Sequence, residues 1–186
     1  MKIGLTGSHG VGKTTLLKIL SEKLPNYDVQ LESLTRKAVS GADKVNLTTP
    51  KESEKLISEA YMEYFLENIN KNFIASRHMI DVLAYTMYLQ KRNNNMGTDI
   101  IFAIEEKIYE IIEKKIFDLV IYVPIEFKQV ESGIFREGQQ ENPDYQKDID
   151  TIIKFLLWGY GIKYITISGT VEERINQIMG HINVKN

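Results

Sequence analysis

An α/β fold is the reading this sequence supports, with about five parallel strands in one sheet and helices on both faces. Three observations lead to it. Short apolar runs alternate with longer stretches of helical periodicity. The opening run, KIGLT, leads through a glycine-rich turn into an amphipathic stretch. DLVIYV at residues 118–123 is an apolar run of the kind a strand covered on both faces requires.

Residues 2–6 are the first strand. Residues 13–24 follow as a helix, with Leu16, Leu17, Ile19, Leu20 and Leu24 as its apolar stripe and Pro25-Asn26 as its stop. Residues 27–31 read as a strand, 33–39 as a short helix and 41–49 as a loop. Pro50 suits a helix start with Thr49 as N-cap, and that pattern runs to about Ile69. A strand at 72–76, a helix at 81–90 and a break at 93–97 come next. Residues 99–116 form an amphipathic helix, and Pro124 ends the strand at 118–123. The charged stretch 125–142, with Gly133 and Gly138 as flexible points, reads as a lid. Pro143 starts a helix to about Gly159, and 163–168 is the last strand. Thr170 and Glu173 make a capping box for a final helix. One domain with a mobile lid is expected over residues 1–186.

Composition narrows the chemistry. The hydrophobic share is 43% and the charged share 26%, ordinary for a globular chain. A net charge of −2 argues against a general nucleic-acid coat. With no cysteine, thiolate metal sites, disulfides and a cysteine nucleophile are excluded. No run approaches ~18 unbroken apolar residues, so no membrane partner is expected. The default setting is cytoplasmic, or the host cytoplasm if the chain is viral.

The strongest motif is GSHGVGKT, Gly7 to Thr14. It fits G-x-x-x-x-G-K-[ST] in full and lies between a strand and a helix. Glycines let the backbone curl so that several N–H groups point inward at phosphate oxygens, beside a helix N-terminus. The fold class sharpens to a P-loop NTPase three-layer sandwich with a lid segment. Ser8, His9, Gly10, Val11, Gly12, Lys13, Thr14 and Thr15 are the expected ATP-binding residues. Lys13 reaches the terminal phosphates and the Thr14 hydroxyl contacts Mg²⁺. The His9 side chain is expected to face solvent.

The branch is argued by elimination. A GTPase needs Asn-Lys-x-Asp, and Asn70-Lys71-Asn72-Phe73 lacks the acid. A motor needs acidic residues at the end of a strand, where this chain has Pro124. A small-molecule kinase needs a base, cations around the phosphoryl group and a lid. Ligands of open α/β sheets bind beyond the strands' C-terminal ends. There Glu32 is the candidate base, with Arg36 four residues on. Arg77 is the candidate brace for acceptor or phosphoryl group, and Asp81 for a water of the Mg²⁺ shell or an arginine partner. Arg136 is the candidate lid cation. Tyr61, Tyr64, Phe65, Tyr85 and Tyr88 fall at helical spacing and read mainly as packing, with Phe65 and Tyr85 the candidates to stack on a base. Trp158 reads as core. Exposed helices offer a surface through which two copies could pair as a homodimer.

Four segments carry a resemblance: GSHGVGKTT (Gly7 to Thr15), LESLTR (Leu31 to Arg36), SRHMIDVLAYTMYL (Ser76 to Leu89), and FREG (Phe135 to Gly138) through to GIKYITISGTVEERINQI. Together the chain resembles a small AAA-labelled ATP-binding kinase family frequent in bacteriophages, related to ribosylnicotinamide kinase and to deoxynucleoside and nucleotide kinases. The resemblance implies ATP and Mg²⁺ at the first segment, acceptor binding at the second and third, and a lid arginine at the fourth. Some members are thought to phosphorylate hydroxymethylated pyrimidines within DNA, so DNA is an alternative acceptor to a free nucleoside or nucleotide. A nucleotide-dependent switch is a further alternative. The family's Asp-Arg pair is Ser76-Arg77 here, which leaves Glu32 as the better base. Its Asp-Gly-x-Arg lid pattern appears as Ser132-Gly133-Ile134-Phe135-Arg136.

Overall fold

A computed structural model describes residues 1–38, 51–93, 97–127 and 144–184. The elements are β1 (Lys2–Thr6), α1 (Lys13–Lys23), β2 (Asp28–Val29), α2 (Leu34–Ala38), α3 (Lys51–Glu67), β3 (Phe73–Ala75), α4 (Met79–Asn93), α5 (Thr98–Glu113), β4 (Leu119–Tyr122), α6 (Tyr145–Gly159), β5 (Ile165–Thr166) and α7 (Val171–Val184). The strands form one five-stranded sheet in the order β2-β3-β1-β4-β5, and every pair is parallel. The two edge strands are only two residues long, shorter than the sequence pattern suggests. Short edges leave few unpaired backbone groups to recruit another chain. Helix α4 begins at Met79, before the expected start at Asp81. The expected N-cap at Thr49, the loop at 41–49, the helix start at Pro143 and nearly all of the lid, from residue 128 on, lie outside the described residues.

The pleat sorts consecutive apolar residues to opposite faces, giving three layers. Ile3, Leu5, Ile74, Ile121 and Val123 pack with Leu16, Leu17 and Leu20 of α1 and Ile175, Ile178 and Ile182 of α7. Phe73, Ala75, Val120 and Tyr122 face the other way, into a core shared with α3, α4, α5 and α6. That is why DLVIYV and KIGLT carry no polar alternation.

Gly4 shows how tight the second layer is. A Cβ there would lie 3.0 Å from the Phe117 ring, so the bare backbone lets that ring lie on the sheet. Phe117 meets Phe65 edge-on at 4.9 Å and Phe73 at 5.7 Å between ring centroids. Phe65 is fully buried in this group. It has no face to offer a base, which removes it from the acceptor candidates. Trp158 is corrected in the opposite sense. It is 78% exposed, because α6 turns Tyr145, Ile149, Ile153, Leu156 and Leu157 inward and Trp158 falls off that stripe. Truncating Phe73 to alanine should cost about 3–5 kcal/mol, as large core deletions do. Urea unfolding measures it, and a loss under about 1 kcal/mol would mean the site collapses freely.

Candidate active site

The site lies where β1, β3 and β4 end. Gly7 follows β1 at φ +142°, and a Cβ on it would sit 2.4 Å from the Val123 carbonyl oxygen. Gly10 (φ 75°) and Gly12 (φ 93°) take left-handed conformations that other residues resist. The loop therefore curls tightly against the end of β4 and feeds the first turn of α1. The Lys13 ammonium turns into the loop, donating to the Gly7 carbonyl and, at 2.7 Å, to the Ser8 carbonyl. Ser8 is fully buried, yet its Oγ has no hydrogen-bond partner. A buried orphan hydroxyl beside a half-buried lysine suits a ligand rich in oxygen atoms. Thr14 and Thr15 stand exposed at the start of α1. A phosphate chain fits this cradle, and Thr14 is the residue that could hold an accompanying Mg²⁺.

Asp81 ties the loop down. Its carboxylate accepts from the Gly7 N–H at 3.0 Å and from the His78 N–H at 2.9 Å. Burial pushes its pKa up, opposed by the Lys13 and Arg77 cations and by these two amides. Both oxygens are thus committed to backbone. His78 is buried and held well down, near 3, by desolvation. Its Nδ1 accepts from the Ile80 N–H, so it is a neutral structural ring.

His9 does not face solvent, contrary to expectation. It is 3% exposed, its N–H donates to the Tyr85 hydroxyl at 3.1 Å, and its Nδ1 lies 3.1 Å from the same oxygen. Its ring packs at a tilt against Tyr145 of α6, with centroids 4.8 Å apart. The Gln146 amide donates to the His9 carbonyl at 2.6 Å. Helix α6 covers the loop tip, a contact that sequence spacing does not report. Tyr85 carries the Arg77 guanidinium 4.9 Å above its ring. A chain of contacts therefore runs from the phosphate loop through Tyr85 to Arg77.

Arg77 follows β3 and is half-buried. Glu32 and Arg36 lie beyond β2 and are both exposed. The ion pairs among the described residues include none between them. Gln30 instead joins the two strand ends, donating to the Glu32 carbonyl at 3.0 Å and accepting from the Ser76 N–H at 2.9 Å. Arg136 lies outside the described residues. Behind the loop, Arg174 donates to the Val11 carbonyl at 2.9 Å and to Glu126 at 2.7 Å.

Glu54 was not singled out from the sequence. It is 3% exposed and accepts from the Thr86 hydroxyl of α4 at 2.8 Å. Desolvation raises its pKa to about 7, against the pull of Thr86 and Arg77. A signal existed. Glu54 stands in register with Ile57, Ser58, Tyr61, Met62 and Phe65, the buried stripe of α3.

A family model described as an AAA domain matches residues 2–174. No curated protein sequence matches. Among solved structures, deoxyadenosine kinase from M. mycoides with bound dATP is similar at a TM-score of 0.70 and 18% identity, covering 98% of this chain and 99% of that one. The NadR protein in complex with NR is similar at 0.65 and 14% identity, over 90% of this chain and 43% of that one. Thymidylate kinase from Candida albicans is similar at 0.63 and 14% identity, over 99% and 91%. The shared fold is the P-loop NTPase sandwich.

Glu54 sets a pH dependence of stability. Its pKa rises from about 4.5 to about 7 on folding, so the folded chain binds more protons in that window. Stability should fall as pH rises from 4.5 to 7, by about 3 kcal/mol at about 1.4 kcal/mol per pH unit. Urea unfolding across this range should show the fall in the wild type and its loss in Glu54→Gln. Equal slopes in both would place the titration elsewhere.

Proposed function

Because the chain belongs to this AAA domain family, we propose that it is an ATP-dependent kinase acting on a nucleoside or nucleotide. One observation carries the reading. The phosphate loop and Arg77 share one sheet edge and are joined through Asp81 and Tyr85. A donor cradle and an acceptor brace on one rigid edge suit in-line phosphoryl transfer, which depends on positioning and charge. The similar kinases that hold dATP, or that act on thymidylate by name, support this reading.

In this reading the loop amides and Lys13 hold the terminal phosphates of ATP. Thr14 would hold Mg²⁺ together with ATP, and the bound ion would supply neutralising charge to those phosphates. Arg77 steadies the acceptor, and Glu32, open to solvent beyond β2, takes the acceptor's proton. The acceptor oxygen bonds to the γ-phosphorus as the bond to the β-phosphate oxygen breaks, and ADP leaves. The lid arginine, Arg136, adds charge to the transferring group.

Incubation with γ-labelled ATP, Mg²⁺ and a panel of nucleosides, nucleotides and hydroxymethylated DNA tests the proposal. Transfer to a free nucleoside or nucleotide is expected. Label on the DNA alone would replace the acceptor, and slow hydrolysis with no acceptor would make the chain a switch. Lys13→Ala should abolish transfer. Glu32→Gln should lower turnover by roughly 10²–10⁴ with ATP binding kept, and an unchanged rate would remove Glu32 as the base.

A further inference from the structure

The backbone rungs between β2 and β3 stop early, and one side chain takes over where they stop. The Gln30 N–H donates to the Ile74 carbonyl at 3.0 Å, continuing the β2–β3 register. The same register next brings the Ser76 N–H to Gln30. That N–H goes to the side chain, donating to Gln30 Oε1 at 2.9 Å. Gln30 Nε2 then donates forward to the Glu32 carbonyl at 3.0 Å. Only one orientation of the amide serves both partners, since one is a donor and the other an acceptor. Gln30 is 5% exposed, so water competes little for either bond.

A side-chain amide carries the donor and acceptor of a peptide group but stands off the main chain. Used here, it lets β2 leave the sheet after two residues and still ties the chain beyond it to the end of β3. The two points so tied are those that transfer needs. Ser76 directly precedes Arg77, and the carbonyl held on the other side belongs to Glu32 itself. Glu32 is exposed and joins no ion pair among the described residues, so neither burial nor a charged partner holds it there. A bond from a buried, doubly fixed side chain to its main chain supplies that hold. A residue that only stapled the sheet edge would carry stability and leave the chemistry unchanged.

We infer that Gln30 is a positioning residue for phosphoryl transfer, its side-chain amide setting Glu32 and Arg77 in one frame at the open edge of the sheet. This rests on the kinase reading for the roles of those two groups.

The test is a double-mutant cycle in transfer to the acceptor that the wild type uses, with amide hydrogen exchange on the same full-length proteins. Gln30→Met keeps the length of the side chain and removes both bonds. It should lower kcat by about tenfold to a hundredfold and leave the KM for ATP within about threefold, because reacting groups shift while the phosphate loop does not. In a Glu32→Gln background the same substitution should change kcat by less than about threefold, since its effect runs through Glu32. The Ser76 N–H should exchange about tenfold faster or more in Gln30→Met. Gln30→Glu keeps the acceptor for Ser76 and loses the donor to Glu32. It should lower kcat with the Ser76 protection kept, and it serves if Gln30→Met does not fold. An unchanged kcat in Gln30→Met, equal losses in the two backgrounds, or unchanged exchange at Ser76 overturns the inference. A wild type that transfers to no acceptor overturns the kinase reading and this inference together. Equal losses in an active wild type and in Glu32→Gln overturn this inference alone.

Discussion

The Asp81 carboxylate, clamped between the amides of Gly7 and His78, is the contact on which the rest of the site depends. Gly7 opens the phosphate loop and His78 precedes α4. One side chain therefore fixes the loop relative to the end of β3 and to the residue next in line, Arg77. Its environment shows the cost. Burial works against the charge, and two backbone donors and two cations work for it. A carboxylate held by one amide on each oxygen is a structural clasp.

From that clasp the two sides of the site follow. Tyr85, one turn along α4, meets His9 of the loop with its hydroxyl and Arg77 with its ring face. The loop tip is braced a second time from α6 through Tyr145 and Gln146. Helices on one face of the sheet thus hold the loop at its tip, while Arg174 of α7 holds the Val11 carbonyl from the other. Such bracing is what a transfer reaction needs, since small displacements of reacting groups are costly. Among the described residues no helix is long and apolar enough to cross a membrane.

Much of this was legible in the sequence because it rests on local rules. The five strands, the burial of the central three and the loop at Gly7 to Thr14 follow from apolar runs, glycine positions and one motif. The place of Arg77 after β3 was read from the sequence. What the sequence hid depends on contacts between distant segments. His9 is variable by motif logic, yet α6 covers it from 136 residues away. Phe65 and Trp158 exchange expectations because a helix's rotation decides burial, and one turn of pattern does not fix it. Glu54 is one of many acids in the sequence. Only its register with the α3 stripe betrayed it, and its partner Thr86 lies on another helix.

Two adjoining sites on a single edge make a demand that one measurement addresses. An inhibitor joining adenosine to a deoxynucleoside through a chain of five phosphates spans both at once. If the cradle and the Arg77 side are donor and acceptor sites, the joined molecule should bind roughly 10²–10⁴ times more tightly than ATP, with the gain lost in Arg77→Ala. Affinity equal to that of ATP for every deoxynucleoside tried would contradict the account, because the loop would then have no acceptor site beside it.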